Sequence, residues 1–120
     1  MKIAVIGSRS FQSYELLSSS LNSVGGVSLI VSGGAKGADL LAERYAFAHN
    51  IPTLIYKPDW KKYGRGAGVV RNKQILDAAD MIVAFWDCVS KGTKNSIDTA
   101  KKMNKEVRIV EFRRNISRPV

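Results

Sequence analysis

Cysteine occurs once in this chain of 120 residues, histidine once and proline three times. A lone Cys88 excludes an intramolecular disulfide framework. With His49 as the sole imidazole a zinc site is poorly supplied, so no metal is expected. Long apolar runs are also missing. The longest uncharged one, Met81 to Trp86, is far too short to cross a bilayer, and no membrane partner is expected. The first apolar run meets Gly7-Ser8-Arg9 before a signal-peptide core could form, which makes the cytoplasm the default expectation. Acidic side chains are the other shortage: 10 Asp plus Glu face 19 Lys plus Arg, a formal net charge of +9.

What is present is the composition of a soluble globular domain, 45% hydrophobic and 24% charged. No internal repeat, low-complexity tract or linker interrupts it, so one domain is expected over residues 1–112, with a basic tail over 113–120. The charge is uneven. Residues 1–60 hold five basic and four acidic groups, residues 61–90 five and three, and residues 91–120 nine and three. An excess concentrated in the second half suits a solvated helix face and tail, or a polyanion such as nucleic acid.

Short apolar runs alternate with helical periodicity. Strands are predicted at Ile3–Ile6, Val27–Val31, Thr53–Tyr56, Met81–Phe85 and Val107–Phe112. Helices are predicted over Ser13–Val24, Ala38–His49, Val70–Ala79 and Thr93–Asn104, with Gly25 and Asn50 as stop signals. Residues 58–70, rich in Gly, Lys and Arg, read as a long functional loop. Near-continuous apolar strands separated by helices specify a parallel sheet covered on both faces: an α/β, doubly wound sheet of about five strands. Ligands of such sheets bind at the carboxyl ends of the strands, so the loops there become the site candidates.

The strongest candidate is Ser32-Gly33-Gly34-Ala35-Lys36-Gly37-Ala38-Asp39. Its glycines allow close backbone approach, and the following helix would aim free N–H groups and its positive dipole end at a phosphate. Lys36 adds a mobile cation. Asp39 either caps the helix or hydrogen-bonds a ribose hydroxyl. The segment matches neither the Walker A pattern nor Gly-x-Gly-x-x-Gly. Gly7-Ser8-Arg9, after the first strand, offers a hydroxyl and a guanidinium fork for a phosphate or carboxylate. Gly92-Thr93 opens a later helix, with Thr93 as its cap and a hydroxyl for an anion. In the Gly-rich stretch Trp60 and Tyr63 are base-stacking candidates, with Arg71 and Asn72 to hydrogen-bond; the alternative for Trp60 is a place in the core. His49 is expected mid-helix and is a poor base. Cys88 has no histidine expected near it to activate it. Asp87 and Asp98 are available carboxylates that no spacing pairs. No catalytic residue is assigned.

Taken together, Ile6-Gly7-Ser8-Arg9, Ser32 to Asp39 with the Leu41-Ala42-Glu43 helix, Trp60 to Gly64, Ala67-Gly68 with Arg71-Asn72, and Lys91-Gly92-Thr93 resemble the SLOG superfamily. The closer resemblance is to its YspA-type, cpYpsA-related branch. The resemblance implies a Rossmann-like sheet whose Gly-rich loops hold a nucleotide, a nucleotide sugar or a related phosphorylated molecule, with ADP-ribose and NAD among the ligands to try. The superfamily also includes the Lonely guy phosphoribohydrolases, whose motif Pro-Gly-Gly-x-Gly-Thr-x-x-Glu carries a catalytic glutamate. Here the Pro-Gly-Gly is replaced and Ser96 stands at the glutamate position, and a serine cannot stabilise an oxocarbenium-like transition state as a carboxylate does. The DNA-processing protein A family is similar in its Gly-Ser-Arg turn and its Ser-Gly-x-Ala-x-Gly-x-Asp loop. Three functions follow as expectations: binding of a nucleotide-derived small molecule, hydrolysis of one, or binding of single-stranded nucleic acid through the basic half. Homo-oligomerisation is left open.

Overall fold

The chain folds as five strands and five α-helices in alternation, described for residues 1–113 in a computed structural model. The expected basic tail lies outside the described residues apart from Arg113. β1 (Lys2–Gly7), α1 (Tyr14–Val24), β2 (Leu29–Ser32), α2 (Ala38–Ala48) and β3 (Thr53–Ile55) form the first half. α3 (Trp60–Tyr63), a 3-10 turn (Gly64–Gly66), α4 (Ala67–Ala78), β4 (Met81–Trp86), α5 (Lys91–Lys102) and β5 (Glu106–Glu111) form the second.

All strand pairs are parallel, in the order β3-β2-β1-β4-β5. The chain thus starts in the middle of the sheet, winds outward to one edge, then returns to build the other. Side chains of a strand alternate between faces, and β1 supplies both cores accordingly. Ile3 and Val5 pack with Leu17 and Leu21 of α1, Ala42 and Ala46 of α2, and Val83 and Phe85 of β4. Ala4 packs on the opposite face with Ile75 and Leu76 of α4, Ile82 of β4 and Ala100 of α5. This is the doubly wound sheet that the apolar pattern specifies. Leu17 and Leu21 are wholly enclosed, so truncating either to alanine costs about 2–5 kcal/mol.

Local signals act as expected at most boundaries. The Ser13 side chain accepts from Leu16 N at the start of α1, and Gly25 ends it with φ of 69°. Asn50 adopts φ of 55° after α2, as an asparagine stop does. Three boundaries differ. Residues 58–70 are largely helical, because the Asp59 carboxylate accepts from Lys62 N and nucleates α3, after which the chain passes through the 3-10 turn directly into α4. Gly66 and Gly68 do not break this path: Gly66 sits at φ of −81°, an ordinary right-handed value. Thr93 is not the cap of α5; Ser90 is, and Thr93 lies inside the first turn. His49 is not mid-helix but ends α2, exposed, with its ring stacked on Tyr45 and Nδ1 2.9 Å from the Tyr45 carbonyl.

Candidate functional site

Strand order reverses between β1 and β4, so the crossovers leaving these two neighbours go to opposite sides and open a crevice above their carboxyl ends. A cavity of about 490 Å³ lies there. Its walls are the β1 turn (Gly7, Ser8, Arg9, Ser10), Ala35 and Asp39, Arg71, Asn72 and Ile75 of α4, and the start of α5 from Ser90 to Thr93 with Ser96.

The β1 turn is held by packing. A Cβ on Gly7 would lie 2.7 Å from both the Ala38 Cβ and the Phe85 carbonyl oxygen, so glycine lets α2 begin flush against the sheet. Ser8 is buried, and its hydroxyl accepts from Asp87 N at 3.3 Å and is hydrogen-bonded to the Ser90 hydroxyl at 3.0 Å. Asp87 organises the facing turn. One oxygen accepts from Val89 N and Ser90 N, and the other from the hydroxyls of Ser90 and Ser10. Asp87 therefore ties the β4 turn to the β1 turn.

The Ser32–Asp39 loop is tied from within. Asp39 does not cap its own helix: Gly37 occupies that position without a side chain, and the Asp39 Oδ2 reaches back to accept from Gly33 N at 3.2 Å and Ala35 N at 3.1 Å. Arg71 closes the loop from α4, donating from Nη1 to the Gly33 carbonyl at 3.1 Å and from Nε to the Asn72 side-chain oxygen at 2.9 Å. Gly37 has φ of 83°, and a Cβ there would run into the Ser8 carbonyl oxygen and Arg9, so this glycine lets two loops touch. Burial pushes the Asp39 carboxyl up from 3.8 to about 6, against the lowering pull of the Ala35 amide, Arg71 and the Gly33 amide.

Of the residues expected to hold a ligand, Gly7, Ser8, Arg9, Ala35, Asp39, Arg71, Asn72, Gly92 and Thr93 come together around this one cavity. Ser32, Gly33, Gly34, Lys36 and Gly37 do not line it. Ser32 is fully buried and its hydroxyl accepts from Gly34 N, so these residues shape the loop behind the cavity wall. Trp60 and Tyr63 lie outside the lining, and Trp60, 61% exposed, is not in the core either. Ile6 and Ser10, which flank Gly7-Ser8-Arg9 in the turn that sequence singled out after the first strand, also line the cavity, as do Ile75 and Ser90, which it did not single out. Ile75 carries no signal beyond that of a core residue. Ser90 could have been found only by noticing that it flanks the turn at a neighbouring strand end.

The lining carries Arg9, Arg71 and Lys91 against Asp39 as its carboxylate. Among the described residues no ion pair involves these three cations. Thr93 and Ser96 each keep only 8% of their surface, face the cavity, and have no hydrogen-bond partner for their hydroxyls among the described residues. Asp98 is outside the site, paired with Lys94 at 2.9 Å, which holds its carboxyl low. Cys88 is exposed, and its thiol lies against the Glu111 carboxylate, which pushes its pKa up and disfavours the nucleophilic thiolate. Among the described residues no three His, Cys, Asp or Glu side chains group to hold a metal ion, and no helix is long and apolar enough to cross a membrane.

Comparison with known proteins adds three findings. A model of the family described as YspA, cpYpsA-related SLOG matches residues 1–63, which covers β1 to α3 and both Gly-containing turns of the first half. The Gene 61 protein of Mycobacterium phage D29 is 36% identical over 80 residues, 62% of this chain and 64% of that protein; the match thus spans less than two thirds of the relative's length. Among solved structures, DNA processing protein A from Helicobacter pylori, described for its single-stranded DNA binding mode, superposes with a TM-score of 0.69. The superposition covers 98% of this chain and 68% of that one at 23% identity, a likeness of fold.

Proposed function

The chain belongs to the YspA, cpYpsA-related SLOG family, and from that premise we propose that it binds a nucleotide-derived, phosphorylated small molecule in the cavity between the β1 and β4 turns. The observation that carries this reading is the lining itself: three cations, the start of α5 without a side-chain cap, and the hydroxyls of Thr93 and Ser96, unpartnered among the described residues, facing one space. Backbone N–H groups at a helix start and guanidinium forks are the donors that phosphate oxygens accept from. The volume of about 490 Å³ falls in the range of small-ligand sites. The reading is of binding rather than turnover. Ser96 occupies the position of the resembled enzymes' glutamate, and Asp39, the carboxylate in the lining, is engaged in holding its own loop.

A thermal-shift series with AMP, ADP, ADP-ribose and NAD tests it. Ligand at one hundred times its Kd stabilises the native state by about 2.7 kcal/mol, a rise of several degrees in Tm for a domain of this size. Arg9→Ala removes a cation without touching the core and should abolish most of the rise. No rise with any of the four at millimolar concentration overturns the reading.

A second reading takes the phosphate as part of a single strand rather than of a free nucleotide. Its support is the net charge of +9 together with the fold neighbour, DNA processing protein A, which is described as binding single-stranded DNA.

A further inference from the structure

The segment from Lys57 to Lys73 is the least explained part of the molecule. It holds six cations, Lys57, Lys61, Lys62, Arg65, Arg71 and Lys73, against Asp59 as its acid. The Asp59 carboxylate is already used as the cap of α3. Every residue from Asp59 to Gly66 is exposed, which is unusual for a helical stretch containing a tryptophan and a tyrosine. Trp60 leaves 61% and Tyr63 39% of their surface in solvent, and among the described residues no ring stacks on Trp60. Residues three apart on a helix are neighbours, so the two rings share one side of α3. The Lys62 ammonium lies 5.2 Å from the centre of the Tyr63 ring, placing a cation beside the aromatic surface. Around Gly64, Gly66 and Gly68 there is open space wherever a side chain would be, so these positions leave room beside α3.

Exposed aromatic faces set among cations that have no ion pair among the described residues fit a partner that is flat and apolar in one part and anionic in the next. An acidic peptide would satisfy the cations but give the indole nothing flat to stack on. An anionic membrane surface would call for a long amphipathic helix, whereas α3 is a single turn. Unstacked nucleobases strung on phosphates meet both needs, and a duplex does not, because its bases are already stacked. We propose that α3 and the 3-10 turn after it form a stacking platform for single-stranded nucleic acid. Trp60 and Tyr63 take bases, and Lys61, Lys62 and Arg65 take the phosphates beside them. This rests on the single-strand reading above but not on the cavity, whose lining contains none of these five residues. α4 continues from the platform and carries Arg71 and Asn72 to the cavity wall, so a strand on the platform would lie beside the cavity mouth.

Fluorescence anisotropy of a labelled 15-nucleotide oligo-dT with the full chain, at 50 and 200 mM salt, tests this. Trp60→Ala should weaken binding about tenfold or more, the loss of one stacked base, and Trp60→Phe should recover most of it. The triple charge reversal of Lys61, Lys62 and Arg65 to Glu should weaken binding and flatten the slope of log K against log salt by about 2, at roughly 0.7 for each phosphate contact. Lys101→Glu with Lys102→Glu, on the exposed end of α5, should change affinity less than threefold. The thermal shift with ADP-ribose should survive Trp60→Ala, so failure of the cavity reading and failure of the platform show in different measurements. The platform is overturned if Trp60→Ala binds oligo-dT as the natural chain does, or if a 15-base-pair duplex binds as tightly as the single strand. It is equally overturned if a poly-glutamate peptide competes to the same extent against the natural chain and Trp60→Ala, which would mark a general anion surface. Loss of oligo-dT binding in Arg9→Ala, with none in Trp60→Ala, would instead put the strand in the cavity.

Discussion

Asp39 keeps only 9% of its surface, yet holds a carboxyl where two backbone N–H groups need an acceptor. Burial and hydrogen bonding oppose each other here, and burial wins, lifting the carboxyl from 3.8 to about 6. The native state therefore binds a proton more readily than the unfolded chain. This group's contribution is most favourable below about pH 4 and is lost as pH rises to about 6, by up to about 3 kcal/mol. Urea midpoints at pH 4.5 and 7 should show this as a falling component in the natural chain. Asp39→Asn keeps the shape and an acceptor oxygen but cannot ionise, and should remove that component. An identical pH dependence in the variant would assign the effect to another group. Sequence alone makes Asp39 a helix cap or a ribose ligand, since an Asp two residues after a glycine reads that way. Its reach back to Gly33 and Ala35 depends on how the loop folds over it.

At the scale of elements, glycines that look alike in sequence do opposite things. Gly37 sits at φ of 83° with the Ser8 carbonyl and Arg9 against it, so Gly37→Ala combines backbone strain with a clash. It should cost more than about 2 kcal/mol. Gly68 is helical with open space around it, so Gly68→Ala should instead stabilise by about 0.5 kcal/mol through the entropy of the unfolded chain. Urea denaturation of the two variants checks both signs, and equal effects would refute the distinction. The same blindness explains the segment 58–70. Three glycines spaced by two suggest a loop, whereas the Asp59 cap and a right-handed path through Gly66 make it helical. The strands and the other four helices follow from apolar periodicity with shifts of one to three residues, the largest at the start of α4, because burial on a sheet or one helix face imposes that periodicity directly.

Across the whole molecule, one central sheet carries a core on each face, and every helix from α1 to α5 except α3 packs buried residues. Neither face can be lost without exposing the other side of the same strands. Unfolding should thus be one transition, with the midpoint from far-ultraviolet circular dichroism coinciding with that from tryptophan emission. The useful reporter is Trp86, half-buried with its indole N–H donating to the Ser90 carbonyl; Trp60 is too exposed to respond. Trp60→Phe should leave the transition unchanged, and separated midpoints would mean that the two faces melt independently.

Sequence by itself determined the class of fold, the number of strands, and the turns at strand ends where chemistry would gather. Those features are written locally, in apolar period, in glycine and in helix stop signals. Only the tertiary structure decided which loop residues face the cavity and which stand behind it. Ser10 and Ser90 are separated by eighty residues of chain and meet through Asp87 because β1 and β4 are neighbours in the sheet. Trp60 is an exposed ring and not a core ring for the same reason: burial depends on what packs above a side chain, and no segment among the described residues covers α3.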